Sequence, residues 1–155
     1  MPNTTEFDIE AAHRYFSANC FNQAWDLIDK TNRIPAEDEE MLRLSMASTW
    51  HWKQRADCTA ANLSVGYWQT SRIYFMLKEV DRARRYAQMC LDTAQNGSAG
   101  PFYIAYGYEA LARVEAMAGE KRKKELYLVE ARRLAGQVTN AEERGVLEVD
   151  LNTIS

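Results

Sequence analysis

The stretch from Tyr67 to Ala131 carries one residue pattern twice, and this repetition limits the fold more than any other feature of the chain. Tyr67, Ser71, Tyr74, Val80, Ala83, Ala87 and Cys90 stand in register with Tyr108, Ala112, Glu115, Lys121, Lys124, Leu128 and Ala131. The spacing is that of a helical hairpin. A single hairpin of this size cannot bury its own apolar face, so it has to stack on a neighbour. Small residues such as Ala83 and Ala112 let helices approach closely, and Tyr67, Tyr74 and Tyr108 fill the gaps between them.

The rest of the chain supports helices joined by short turns. Only three Pro and seven Gly interrupt 155 residues, of which 46% are hydrophobic and 26% charged, a globular composition. This length suits one domain, 1–155, with a core that needs no staples. In chain order, Phe7, Ala11, Tyr15 and Ala18 line a first helix that Thr5 can cap. A turn at Asn19–Cys20 leads to a second helix, Phe21 to Lys30. Pro35 and the acidic run Glu37 to Glu40 suit the start of a further helix over 36–55. Hairpins are expected at about 6–31, 60–95 and 102–138, with Asp81 as a cap, Gly97 as a left-handed helix stop and Pro101 in a first turn. Thr139 or Asn140 can cap a last helix over 140–153. The expectation is all-α, with about eight helices.

Several functions are disfavoured. A net charge of −3 argues against nucleic-acid binding, which needs a basic face. Lys121 to Lys124, with Arg132 and Arg133, reads as a solvated face or a contact for an acidic partner. Cys20, Cys58 and Cys90 are odd in number and widely spaced, which suits a reducing compartment. The absence of an apolar leader or membrane-length run points to the cytoplasm. His13 and His51 are the two histidines and lie in no zinc spacing, so neither metal nor cofactor is expected. Cys58 with His51 lacks an orienting acid, and Glu109 and Glu115 point in different directions on one helix. Neither pair makes a convincing catalytic site, and no enzyme is expected.

The residues Tyr108, Leu111, Ala112, Gly119, Leu128 and Ala131, with Tyr67, Tyr74, Val80, Ala83 and Cys90 one hairpin earlier, resemble tetratricopeptide repeats. A looser match runs through Ala11, Ala12, Tyr15, Phe21, Ala24 and Ile28. Glu115 and Lys124 depart from the family pattern, and the repeat-ending proline is absent. The runs Trp50-His51-Trp52, Trp68 to Arg72 and Tyr108 to Arg113 resemble a group of small bacterial tetratricopeptide-like proteins without an assigned activity. The resemblance implies an α-α superhelix or compact bundle in which 36–55 is an inserted helix and 140–153 a polar-faced cap.

The same resemblance implies a groove lined by the first helix of each hairpin, which holds an extended peptide or partner helix. Position by position, His13, Arg72 and Arg113 share a row, Ile9, Trp68 and Glu109 the next, and Phe16, Phe75 and Ala116 a third, continued by Met76 and Met117. The expected partner-binding residues are Trp68, Arg72, Phe75, Tyr106, Glu109 and Arg113. Cations beside an aromatic and thioethers suit an acidic, partly apolar protein partner. A local reading competes: Arg72 stacks on Trp68, and Arg113 pairs with Glu109, each four residues away on one helix. Trp50 and Trp52 lie about 200° apart on a helix and cannot share a face. Trp50, His51 and Trp52 are therefore a second candidate interface, with self-association into a homodimer as one outcome. The alternative function is a small-molecule sensor or enzyme with an aromatic pocket around Trp50, His51, Trp52 and Trp68. A helical-repeat component serving a separate catalytic or DNA-binding protein is a third reading.

Overall fold

The structure, a computed structural model, describes residues 7–155; the expected Thr5 cap lies outside them. The described residues form seven helices and no strand: α1 (Ile9–Ile28), α2 (Pro35–Gln54), α3 (Ala60–Met76), α4 (Val80–Asn96), α5 (Pro101–Ala118), α6 (Lys121–Ala135) and α7 (Ala141–Asn152). None of these is long and apolar enough to cross a membrane. Where the sequence reads as one domain, the contacts divide the chain into one unit up to Cys58 and a second from Thr59 to Ser155.

In the first unit, α1 runs unbroken through Asn19–Cys20, where a turn was expected. Its twenty residues contain neither Gly nor Pro, and a helix continues unless something stops it. Asn19 instead bonds along the helix to Tyr15 and Gln23, and Cys20 is buried. This accounts for seven helices in place of eight. Asp8 accepts from the Ala11 N–H at the first turn. The partner of α1 is α2, the helix that the sequence reads as an insertion. Their seam is small and polar: Ser17, Cys20 and Ala24 meet Ser45, Ser48 and Thr49, with Met41 as a large apolar anchor. Ser48 Oγ donates to the Ser17 carbonyl at 2.6 Å, and Arg55 Nη1 to Ser17 Oγ at 2.9 Å.

The second unit contains the repeat. Hairpins α3–α4 and α5–α6 begin in the same register, Ala60 against Pro101 and Val80 against Lys121. Each hairpin packs on itself, α5 packs on both α3 and α4, and α7 closes against α5 and α6. Ala83, Ala87, Cys90 and Ala94 bury one side of α4, and Leu128, Ala131, Leu134 and Ala135 that of α6. On α7, Leu147 and Leu151 are buried while Val146 and Val149 face outward. Its outer face is thus not wholly polar.

Local chemistry sets the helix ends. Thr59 and Asn62 form a reciprocal capping box, Pro101 opens α5, Gly119 ends it in the left-handed region at φ 77°, and Asn140 accepts from the Glu142 and Glu143 N–H groups. Asp81 sits in the first turn of α4, with Glu79 at the cap position. Gly97 is not left-handed: its φ is −90°, and Ser98 takes the positive value of 49°. Glycine is needed at 97 for space, because a Cβ there would lie 2.1 Å from Ala60 Cβ. The same holds at Gly107, where a Cβ would lie 2.7 Å from Leu91 Cα, so α4 and α5 touch backbone to backbone.

Candidate partner-binding site

All six residues expected to bind a partner come together in the second unit, around one carboxylate. Glu109, on the buried face of α5, is fully buried. Trp68 Nε1 donates to its Oε2 at 2.8 Å, Arg113 Nε to its Oε1 at 2.8 Å, and Arg72 Nη2 to Oε1 at 3.3 Å. Trp68 and Glu109 are equivalent positions of the two hairpins, 41 residues apart, so the repeat sets two matching sites directly against each other. The local pairings also form: Arg72 lies 5.2 Å over the Trp68 ring and Arg113 bonds Glu109 four residues before it, while Arg113 also lies 5.8 Å from the Phe75 ring. Tyr106 packs edge-on to Trp68 with centroids 5.4 Å apart.

The sequence gives α7 no part in this site, yet it and its C-cap contribute two residues. Asp150 accepts from the Tyr106 hydroxyl at 2.7 Å and lies 3.9 Å from Arg72. Arg113 Nη2 donates to the Asp150 carbonyl at 3.0 Å and to Thr153 Oγ1 at 2.8 Å. Two arginines thus face two carboxylates, Glu109 fully buried and Asp150 partly exposed. Burial pushes the Arg72 guanidinium below its ordinary range, outweighing the opposing effect of Glu109. Burial, followed by the bond to Asp150, raises the Tyr106 phenol. No residue near Asp150 in the sequence signals this role, since its partners lie 37 to 44 residues away.

Between Trp68, Arg72, Phe75, Glu109 and Arg113 there is no volume that a water molecule could enter. A ligand therefore cannot enter between these side chains, although Trp68, Arg72 and Phe75 are only half-buried. One to two turns further along α3 and α5 the surface opens into a cleft of about 480 Å³, lined by Phe75, Met76, Lys78, Arg113, Ala116 and Met117, with Thr153, Ile154 and Ser155 at the other side. Its walls are aromatic and thioether surface. Lys78, just past α3 at φ 61°, is exposed at the rim, and the Arg113 guanidinium, tied to Glu109, forms part of the lining.

The second candidate interface belongs to the first unit. Trp50 is 56% exposed and packs edge-on to His51 with centroids 4.9 Å apart. Trp52, on another face of α2, carries Arg55 at 3.8 Å over its ring. His13 stands against His51 with Nδ1 to Nδ1 at 2.8 Å, a pairing across 38 residues that the sequence gives no sign of. Arg84, unremarked in the sequence, clamps the buried Glu115 with Nε at 2.6 Å and Nη2 at 3.2 Å. No group of three or more metal-ligating side chains occurs among the described residues. No protein-family model, no curated protein and no solved structure matches the chain.

Proposed function

We propose that this chain is a tetratricopeptide-like helical-repeat module of the cytoplasm that binds a short acidic, partly apolar segment of a partner protein and carries out no reaction of its own. The supporting observation is the cleft along the ends of α3 and α5, in which Phe75, Met76 and Met117 offer adaptable apolar surface and Lys78 offers a cation at the rim. Charge complementarity selects the occupant. Arg113 is neutralised by Glu109, so Lys78 directs an acidic group to the rim while an apolar side chain enters between the methionines. The buried layer at Trp68 and Glu109 supports this cleft and does not itself touch the ligand.

The test is selection from a displayed peptide library on the full chain, followed by affinity measurement of the selected peptides on Met117→Asp and Lys78→Glu. Expected peptides combine a large apolar residue with Asp or Glu. Met117→Asp should abolish binding, and Lys78→Glu should weaken it in a salt-dependent way. Peptides that bind both variants as well as they bind the original chain would refute the assignment.

A small-molecule site in the first unit, around Trp50, His51 and Trp52, has one observation in its favour, the exposed Trp50 indole beside two imidazoles. Quenching or a shift of tryptophan emission by a small metabolite, lost in Trp50→Phe, would favour that reading.

A further inference from the structure

We infer that His13 and His51 form a proton-sharing pair that fastens α1 to α2 near neutral pH and releases them on acidification. The geometry carries this. The two Nδ1 atoms are 2.8 Å apart and the ring centroids 5.1 Å apart, so the excess is taken up by the two ring radii and each ring presents its Nδ1 edge to the other. One imidazole donates Nδ1–H and the other accepts. A first proton, added at the outer Nε2 of the donor, leaves this bond in place and turns it into an imidazolium donating to a neutral imidazole. A second proton has to occupy the accepting Nδ1. That sets two N–H groups and two positive charges face to face, and the pair must separate.

The nearest charged groups of α1 and of the turn after α2 bond to one another. On α1, Glu10 bonds Arg14 at 2.7 Å, and Arg14 lies 3.9 Å from Asp57. Beyond the end of α2, Arg55 grips Asp57 at 2.7 Å and holds its carboxyl down to about 2. On α2, Lys53 lies two residues from His51. From the rings packed on the pair, Phe16 at 5.2 Å and Trp50 at 4.9 Å from His51 bring no ionisable group. Burial first, and His13 second, hold the His51 imidazole below its ordinary value of 6.5.

The sign follows from proton counts. A folded unit whose histidine resists protonation binds fewer protons than the unfolded chain, so its stability is full above about 6.5 and is lost as pH falls through and below that value. The seam it guards is the small, polar one of Ser17, Ser45, Ser48 and Thr49, whose limited apolar burial leaves it poorly placed to absorb such a repulsion.

With two histidines in the chain, the NMR spectrum holds two imidazole Cε1–H signals, which makes the test direct. The full chain is titrated from pH 8 to 4 with a chelator present, alongside hydrogen exchange of the α1 and α2 amides. The His51 signal should inflect below 6.5, and the protection factors of the α1 and α2 amides should fall below that step. In His13→Asn, His51 should titrate in one step moved up towards 6.5. A His51 curve with no step below 6.5 in the unaltered chain, or α1 and α2 protection that ignores that step, would overturn the inference even if the variant failed to fold.

Discussion

Replacing Glu109 by Ala should be among the most damaging single changes in the second unit. The carboxylate is fully buried and accepts from Trp68 and Arg113 at 2.8 Å each and from Arg72 at 3.3 Å. Its removal leaves the indole N–H without this acceptor and two largely buried guanidinium groups with Asp150 alone to balance them. Breaking a buried ion pair by deleting one partner costs about 3–5 kcal/mol, because the surviving charge has lost both water and its counter-charge. The Arg72 side chain keeps some exposure, 18%, so water can reach it and the low end of that range, about 3 kcal/mol, applies. For a unit of this size each kcal/mol moves the melting temperature by about 4–8 °C, which gives a drop of roughly 12–24 °C. Glu109→Gln keeps the volume and an acceptor oxygen but not the charge, and should fall between Ala and the original residue. Differential scanning calorimetry of the three chains checks this order. If Glu109→Ala lost less than about 1 kcal/mol, the ordinary cost of one hydrogen bond, the network would be solvated and the reasoning from burial would fail.

Three further predictions rest on packing and capping. Gly107→Ala gains about 1 kcal/mol of helix propensity but drives a Cβ to 2.7 Å from Leu91 Cα, a backbone atom; overpacking of this kind costs about 1–3 kcal/mol, so denaturant unfolding should show a net loss. Gly145→Ala on α7, whose Cβ meets nothing within 4 Å, should instead stabilise by about 0.4–1 kcal/mol in the same assay. Asn140→Ala removes the oxygen that accepts from Glu142 and Glu143 and should cost about 0.5–2 kcal/mol, with early fraying of α7 in hydrogen exchange.

The arginines show most sharply where sequence reasoning reaches its limit. Four-residue spacing places Arg72 beside Trp68 and Arg113 beside Glu109, and the structure contains both contacts. Spacing alone does not say whether that face is open. An open groove would let Arg72→Glu with Arg113→Glu abolish binding at little cost in stability. In the buried layer the same change sets two carboxylates against Glu109 and Asp150, so the second unit should lose its fold before any effect on binding could be read. The accessible residues lie at the ends of the same helices, at Met76, Lys78 and Met117, and a change there leaves the network intact.

What the sequence by itself determined is what acts over a few residues. The 41-residue register of the hairpins, the helix starts at Thr59, Pro101 and Asn140 and the stop at Gly119 follow from side chains bonding their own turn or from the φ a residue allows. The tertiary structure decided everything that depends on which surfaces meet. It kept α1 whole through Asn19–Cys20, gave α1 the partner α2, set Ala60 against Gly97, drew Asp150 and Thr153 onto Arg113, and brought His13 to His51. Local geometry is fixed by covalent structure and hydrogen bonds along the chain, whereas these contacts exist only once close packing has chosen which faces are buried.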